Sequence, residues 1–255
     1  MATQAVGCDV RDRALAPAGE DLVDRAARGM PVLLLVRERF ERERPLEGLK
    51  VSACLPVTPE TANLMITLEA GGADVALCAP DPLSTDDAVA AALAASHRVR
   101  TYAIEGEDDD TRHDHLASVL AHRPDLTMDD GADLVAELHR GGGRLLGRVL
   151  GGTVRTAGGR ARPRAMAAPG VPRYPVIAVD EAVTDLSLAN QALSIEYLGA
   201  GRAMLEHGVH EVPVEVGREV ARLNLMAMQD NGRVLPPHRP WRATSPSRGE
   251  GESTR

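Results

Sequence analysis

Aromatic residues are nearly absent from this chain. One Phe, one Trp and three Tyr make up 2% of its 255 residues. A core must therefore consist mainly of Ala, Val and Leu, and the length and the 44% hydrophobic content suffice for one globular domain. Cysteine is also scarce, and Cys8, Cys54 and Cys78 show no framework spacing. This pattern predicts reduced thiols and a cytoplasmic location.

Positive charge and long apolar runs are lacking as well. Lys and Arg number 29 against 37 Asp and Glu, which gives a net charge of −8. Since nucleic-acid-binding proteins carry a basic patch or stripe, we expect no nucleic-acid partner. The apolar runs are too short to span a bilayer and no signal-peptide pattern is visible, so we expect no membrane partner.

Short apolar runs alternate with helical patterns along the chain. We predict strands at 49–55, 73–79, 99–104, 126–128 and 176–179 and helices at 20–28, 30–44, 60–70, 108–121, 132–138, 188–205 and 214–228, with an Ala-rich helix ending at 95. This alternation is typical of an α/β fold, and we predict a Rossmann-like, doubly wound parallel sheet with a C-terminal helical extension. A single domain is predicted to cover 1–235, and 236–255 is predicted to be a disordered tail.

The predicted strand ends carry hydroxyl and carboxylate groups. In parallel sheets of this kind, ligands bind at the carboxyl ends of the strands. The candidates there are Thr58, Ser84, Thr85, Asp86 and Asp130. Structural roles stay open for several of them, because Thr before Pro is a helix N-cap pattern and Asp before Gly is ordinary at a strand-to-helix turn.

The segment His113-Asp114-His115 has the composition of a metal-binding pair. On a helix, however, positions i and i+2 do not share a face. We therefore interpret these histidines as surface residues and predict no metal site.

A series of segments, in the same order along the chain, resembles the S-adenosylhomocysteine hydrolase (adenosylhomocysteinase) family. The resemblance covers residues 30–140 and 172–230, and so many colinear segments make it specific. Among them are Pro45-Leu46-Glu47-Gly48-Leu49-Lys50-Val51, Cys54-Leu55-Pro56-Val57-Thr58, Glu60-Thr61-Ala62-Asn63-Leu64, Met128-Asp129-Asp130-Gly131-Ala132 and Ala189-Asn190-Gln191-Ala192-Leu193.

The resemblance implies a retained nucleoside site. Thr58 and Glu60 match family residues that hold the adenine and ribose. Asp130 matches an active-site aspartate, and Thr156 matches a threonine near the ribose. Asp130 and Glu60 are the predicted catalytic residues. The predicted substrate-binding set is Thr58, Glu60, Ser84, Thr85, Asp86, Asp130, Arg155 and Thr156.

Other family features are replaced or missing. The family's active-site histidine is Pro56 here, its glutamate is Arg155, and its ribose lysine is Asp185. The family's NAD-binding domain is absent between Val183-Thr184 and Asp185, which we interpret as a deletion near 184–186, and no G-x-G-x-x-G occurs in the sequence. We therefore expect no NAD. Without a hydride acceptor the ribose 4′ proton is not acidic, so we expect the chain not to hydrolyse S-adenosylhomocysteine.

Two functions stay open at this point. The first is an NAD-independent enzyme of specialised metabolism that acts on S-adenosylmethionine or S-adenosylhomocysteine. It would cleave a C–S bond without redox chemistry, cyclise the aminobutyrate moiety and release methylthioadenosine, with Asp130 or Glu60 as the base and Arg155 as a carboxylate clamp. The second is a non-catalytic homologue that binds S-adenosylhomocysteine or adenosine, or a partner subunit. Because the family's C-terminal segment reaches a neighbouring subunit, we expect a homodimer.

Overall fold

The strands of this protein form one parallel sheet in the order β1-β4-β3-β2-β5-β6-β7-β8. They are seen in a computed structural model that describes residues 7–141, 143–156, 172–180, 184–201 and 205–229. The strands are β1 (Asp9–Val10), β2 (Lys50–Cys54), β3 (Asp74–Cys78), β4 (Val99–Ala103), β5 (Leu126–Asp129), β6 (Gly151–Thr156), β7 (Pro175–Asp180) and β8 (Gly208–Glu211).

Eight α-helices within the described ranges surround these strands. They are α1 (Ala16–Ala27), α2 (Pro31–Glu43), α3 (Pro59–Ala70), α4 (Asp87–Ser96), α5 (Asp109–Ala121), α6 (Asp133–Gly141), α7 (Thr184–Gly199) and α8 (Val214–Gln229). Three of them begin at a side-chain cap that the local sequence supplies, with Thr58 capping α3, Asp86 capping α4 and Asp108 capping α5. Each cap oxygen accepts a hydrogen bond from a backbone N–H of the first turn that would otherwise lack a partner.

The order of the strands reverses between β2 and β5. From β2, the strands β3 and β4 follow toward one edge, whereas β5 to β8 follow toward the other. A reversal of this kind leaves a crevice at the carboxyl ends of the two central strands, since the helices that follow them go to opposite faces. Here α3 follows β2 onto one face, and α6 follows β5 onto the other.

Two layers of helices cover the sheet. On one face, α1 to α4, α7 and α8 enclose the larger core, which is mainly aliphatic and includes Val36, Leu64 and Leu193. On the other face, α5 and α6 pack on short side chains of β2 and β3, among them Cys54 and Cys78. The scarcity of aromatic residues thus produces the aliphatic core that the composition predicts.

The predicted α/β fold with its doubly wound parallel sheet is confirmed. The sequence pattern does not predict β1, which is two residues long, or β8, whose sequence is Gly-Val-His-Glu. It predicts only a weak strand within a long loop at 141–172, where β6 forms six residues of the sheet between β5 and β7. The predicted disordered tail at 236–255 lies outside the described residues.

The C-terminal segment contributes to the core of the domain. β8 extends the sheet beside β7, and α7 buries Leu188, Ala192 and Ile195 in the same cluster as α2 and α3. The predicted helical extension is therefore integrated into the sheet and its main helical layer.

The three cysteines are free thiols, and two of them are buried. Cys54 and Cys78 are opposite one another on β2 and β3. A hydrogen bond with Cys78, together with burial, raises the pKa of Cys54 well above its usual value. Such thiols are unreactive, which is consistent with a packing role.

No helix in the described part of the chain combines the length and the apolar composition needed to cross a bilayer.

Candidate functional site

The carboxyl ends of β2 and β5 meet where the strand order reverses. Asp130, the first residue after β5, donates its backbone N–H to the carbonyl oxygen of Cys54, the last residue of β2, at 2.9 Å. Thr58 and Glu60 follow β2 at the same edge. The structure therefore places three of the predicted site residues around one crevice.

The turn after β2 is built around Thr58. Its hydroxyl oxygen accepts a hydrogen bond from the backbone N–H of Thr61 at 3.3 Å, and Pro59 occupies the first helical position, as the sequence predicts. Glu60 is half-buried in the first turn of α3, where the positive end of the helix favours a carboxylate. The Thr58 oxygen thus has a structural role, and Glu60 is the ionisable group of this turn.

The turns after β2 and β3 are joined through their backbones. Val57 and Thr85 form a parallel β-bridge. Val57 N–H donates to the carbonyl oxygen of Ser84 at 2.7 Å, and Asp86 N–H donates to that of Val57 at 2.9 Å. Thr85 is therefore held beside the start of α3. Its buried hydroxyl has no hydrogen-bond partner among the described residues, so it is available to a ligand.

Two predicted ligand residues of the β3 turn have structural partners. Asp86 Oδ1 accepts hydrogen bonds from the N–H groups of Ala88 and Val89 at 2.9 and 3.1 Å, which caps α4. The Ser84 hydroxyl donates to the carbonyl oxygen of Asp81 at 2.7 Å and closes the turn. These contacts favour a structural role for both side chains.

Asp129 and Asp130 lie in different surroundings. Asp129 is completely buried, and its Oδ2 accepts a hydrogen bond from Val135 N–H at 3.0 Å at the start of α6. Burial raises the pKa of Asp129 well above its usual value, and hydrogen bonds from backbone N–H groups of α6 oppose that shift. The Asp130 side chain is 23% exposed. Asp129 thus holds the turn, and Asp130 is the carboxylate that a solute can reach.

Arg155 lies beside Asp130. Its Nη1 is 4.0 Å from Asp130 Oδ2, and the Arg155 side chain is 22% exposed. The two meet because β5 and β6 are neighbours whose register sets Asp129 opposite Val154. The predicted carboxylate clamp and the predicted catalytic carboxylate are therefore adjacent. Thr156 pairs through its backbone with Asp180 of β7.

The backbone after Asp130 adopts two left-handed conformations in succession. Gly131 has φ +111° and Ala132 has φ +68°. Left-handed backbone costs a residue with a Cβ about 1–2 kcal/mol. Strain of this kind persists only where the surroundings enforce it, and it concentrates at functional sites. The outlier at buried Ala132 thus supports a ligand site at this turn.

Asp185 stands where the resemblance places the family's ribose lysine, and it is a helix cap. Its carboxylate oxygens accept hydrogen bonds from the N–H groups of Val32 and Leu33 at 3.0 and 2.9 Å. The cap residue of α2 itself, Met30, offers no side-chain acceptor. Partial burial raises the pKa of Asp185. Its carboxylate therefore stabilises the start of α2.

The interpretation of His115 as a surface residue is wrong. Its side chain is buried, with Nδ1 2.8 Å from Glu107 Oε2 and Nε2 3.2 Å from Asp9 Oδ2. The imidazole thus connects β1 to α5. Within the described ranges, no group of three or more His, Cys, Asp or Glu side chains is arranged to hold a metal ion.

Comparison with known proteins identifies the family. Residues 7–154 match the model of the S-adenosyl-L-homocysteine hydrolase family, which is more than half of the chain and includes Thr58, Glu60 and Asp130. This chain belongs to the S-adenosyl-L-homocysteine hydrolase family.

Several curated relatives support the assignment. The adenosylhomocysteinase of Aquifex aeolicus is 51% identical over 176 residues, which are 69% of this chain and 42% of that protein. The adenosylhomocysteinase of Sulfurisphaera tokodaii is 40% identical over 212 residues, 83% of this chain and 49% of that protein. The S-inosyl-L-homocysteine hydrolase of Methanopyrus kandleri is 44% identical over 197 residues, 77% of this chain and 45% of that protein. The chain thus spans less than half the length of these relatives.

These relatives correct the function predicted from the sequence. They are named as hydrolases of nucleosyl homocysteines, so both the predicted S-adenosylmethionine-cleaving cyclase and the expectation that the chain does not hydrolyse S-adenosylhomocysteine are wrong. The non-catalytic alternative is no better supported. Pro56, Arg155 and Asp185 depart from the residues of the family, but such a departure does not show that the chemistry is lost. Asp185 instead caps a helix, and carboxylates remain at the crevice.

Proposed function

We propose that this chain holds the substrate in the hydrolysis of S-adenosylhomocysteine. The observation that carries this proposal is the position of Glu60 and Asp130 at the reversal of strand order, within the segment that matches the family. In the reaction, the bond between C5′ and sulfur breaks, the oxygen of water goes to C5′, and a proton goes to sulfur. Adenosine and homocysteine form without net oxidation.

The two ends of the crevice suit different parts of the substrate. A carboxylate only accepts hydrogen bonds, so Glu60 is suited to the exocyclic amine of adenine. The buried Thr85 hydroxyl lies beside the same turn and supplies a second polar contact. Asp130, one strand away, is a carboxylate suited to accept hydrogen bonds from the rest of the substrate.

The family resemblance implies an NAD, which supplies a reversible oxidation of the ribose when bound. A dinucleotide pyrophosphate needs a glycine-rich turn and open N–H groups at a helix start. In the turn after β2, Val57 is buried, Pro59 has no N–H, and the Thr58 hydroxyl takes a donor of α3. No strand-to-helix turn of the described residues carries G-x-G-x-x-G. These residues do not fit the pyrophosphate, and we assign them to the substrate alone.

The base of the substrate has a second candidate, because one relative is named S-inosyl-L-homocysteine hydrolase. Adenine has an amine at C6, where hypoxanthine has a carbonyl oxygen. A carboxylate at Glu60 favours the amine and repels the oxygen. We therefore favour the adenosyl compound.

The proposal extends to location and assembly. Three free thiols support a cytoplasmic location, where thiols stay reduced. A net charge of −8 gives no support to a nucleic-acid or membrane partner. Exposed Val214, Leu225 and Met228 on α8 support a homodimer.

Incubation of the purified full chain with S-adenosylhomocysteine tests the proposed function. Calorimetry measures binding, and mass spectrometry measures adenosine and homocysteine with and without added NAD. We expect binding in both conditions and, wherever the substrate is turned over, equal amounts of adenosine and homocysteine. Binding of S-inosylhomocysteine should be about tenfold weaker, or 1.4 kcal/mol.

Matched variants separate the site from the rest of the surface. Glu60→Gln and Asp130→Asn should each lower turnover, whereas Asp114→Asn, which changes an exposed carboxylate of α5 on the other face, should leave it unchanged. Failure to bind S-adenosylhomocysteine overturns the proposal. Binding without products in either condition overturns the hydrolytic part of it.

A further inference from the structure

We propose that Asp130 and Arg155 together hold the α-amino acid end of the substrate, with Arg155 on its carboxylate and Asp130 on its ammonium group. This inference rests on the proposed function and assigns a ligand group to a residue pair of the same site.

The separation of the two side chains suits a zwitterion. Arg155 Nη1 lies 4.0 Å from Asp130 Oδ2, which is longer than a direct hydrogen bond, and both side chains are partly exposed. In an α-amino acid, the nitrogen and the carboxyl carbon are about 2.5 Å apart. The opposite charges of the ligand are therefore closer together than the 4.0 Å between the charged atoms of the protein pair, so both can face their counterparts at once.

The chemistry of the two residues supports this division of roles. The planar guanidinium of Arg155 can donate two parallel hydrogen bonds to a carboxylate, which a single point charge cannot do. The carboxylate of Asp130 accepts hydrogen bonds, and an ammonium group has three to donate. A ligand that lacks either charge would lose the contact with one of these two residues.

The distance between the two parts of the site agrees with the length of a nucleosyl amino acid. Glu60 follows β2 and Arg155 lies one residue before the end of β6, with β5 between these two strands. Two strand spacings are about 10 Å. With adenine at Glu60 and the amino acid end at Arg155 and Asp130, the ribose and the thioether would lie between these two groups of residues.

Buried polar groups lie beneath Arg155 on the same face of the sheet. The Thr153 hydroxyl, two residues earlier in β6, and both amide atoms of Gln191 in α7 are buried without hydrogen-bond partners in the described part of the chain. Leu198 of α7 lies against Gly151 at the start of β6. Gln191 precedes Leu198 by seven residues in α7, which runs antiparallel to β6. Gln191 therefore lies about 10 Å closer than Leu198 to the carboxyl end of β6. This position is level with the part of β6 between Thr153 and Arg155.

These polar groups provide a second observation that points to a ligand. Unpaired polar groups are costly in a protein interior unless water or a ligand bonds to them. Because they lie close to Arg155 along the strand, they could form hydrogen bonds with the charged end of a ligand or with water molecules that accompany it.

Calorimetry with four ligands tests the clamp. The ligands are S-adenosylhomocysteine, methylthioadenosine, and the analogues of S-adenosylhomocysteine that lack only the carboxylate or only the amine. Arg155→Gln should weaken the binding of S-adenosylhomocysteine at least tenfold. The affinities for methylthioadenosine and for the carboxylate-free analogue should stay within twofold of those of the unaltered chain. Asp130→Asn should weaken the binding of S-adenosylhomocysteine and leave the affinity for the amine-free analogue unchanged.

Two further variants keep the test independent of folding. Arg155→Lys preserves the positive charge and should show an intermediate loss for S-adenosylhomocysteine. Arg148→Gln removes the arginine of a comparable ion pair, with Asp125, at the opposite end of β5 and β6, and should change no affinity. Circular dichroism checks that each variant is folded.

The possible outcomes are distinct. Equal affinity of the unaltered chain for S-adenosylhomocysteine and methylthioadenosine overturns the clamp and leaves the proposed function standing. A loss in Arg155→Gln that is the same for all four ligands also overturns it. Absence of binding by every ligand overturns the proposed function and the clamp together.

Discussion

Arg39 of α2 and Glu196 of α7 form a buried ion pair with two parallel contacts. Arg39 Nη1 lies 2.8 Å from Glu196 Oε1, and Nη2 lies 2.5 Å from Oε2. The side chains are only 3% and 7% exposed. Because each charge is shielded from water and compensated by the other, the pair fixes the C-terminal segment against the N-terminal half of the domain.

We expect loss of one partner to destabilise the fold. Glu196→Gln leaves the Arg39 charge buried and should lower the free energy of unfolding by about 3–5 kcal/mol. The double variant Arg39→Met with Glu196→Leu should recover most of that loss, since it removes both charges. Urea unfolding followed by circular dichroism measures both effects.

The ion pair of Arg44 and Glu47 provides the control, because its side chains are 53% and 64% exposed. Glu47→Gln should leave the free energy of unfolding nearly unchanged, since exposed ion pairs contribute little. An equal loss in the two single variants would show that burial does not decide the strength of the Arg39 pair.

Asp129 should make stability depend on pH. Burial raises the pKa of Asp129 in the folded chain, so the folded state keeps a proton that the unfolded chain loses near pH 3.9. The stability present below that pH is therefore lost as pH rises through the folded pKa. Asp129→Asn cannot ionise and should lack this fall. Urea unfolding between about pH 4 and 7 measures it.

The neighbouring carboxylate is the matched control for that measurement. Asp130→Asn leaves the buried carboxyl group intact and should retain the fall in stability. Parallel pH profiles for the unaltered chain and Asp129→Asn would contradict the assignment.

The left-handed backbone at Ala132 should favour glycine. Ala132→Gly removes a Cβ from a strained position at the cost of a more flexible unfolded chain, so we expect a net gain of about 0.5–1 kcal/mol. Ala136→Gly, within α6, should instead lower the free energy of unfolding by about 1 kcal/mol. Thermal unfolding compares the two. A loss in both variants would mean that the Ala132 side chain contributes more by packing than its backbone costs.

The proposed homodimer should depend on the outer side of α8. Val214, Leu225 and Met228 are 62%, 58% and 75% exposed there, at the spacing of one helical face. Leu225→Glu with Met228→Glu should shift the chain from dimer to monomer in light scattering coupled to size exclusion. Leu83→Glu changes an equally apolar, exposed residue elsewhere and should not. A monomer before any substitution would refute the homodimer.

Local signals account for what could be predicted from the sequence. The start of α3 is encoded by adjacent residues, the Thr58 cap and Pro59, and the structure has both where the pattern puts them. Alternating strand and helix patterns likewise determine the fold class. By contrast, the Asp185 cap of α2 and the contact of His115 with Asp9 join residues separated by 153 and 106 positions. No local pattern reports such contacts.

The contact between Asp130 and Arg155 also cannot be predicted from a local sequence pattern. It requires β6 to lie beside β5, yet β6 begins with Gly151 and Gly152, which weaken a strand pattern. The structure explains both glycines, because a Cβ at these positions would lie 2.8 Å from Leu198 Cδ2 and 2.2 Å from Thr127 Oγ1, respectively. Close packing thus requires glycine at positions where a recognisable strand pattern would have β-branched or aromatic residues.

The connection between β7 and α7 lies where an inserted domain would not disturb the sheet. β7 ends at Asp180 and α7 begins at Thr184, at the edge of the sheet that carries Asp130 and Arg155. A whole module spliced between these two points would preserve the strand register and the buried Arg39 pair, and it would emerge beside the crevice. Removal of such a module would need only a few residues to reconnect the chain. A domain inserted or removed at this junction would therefore leave the part of the fold that holds the ligand unchanged.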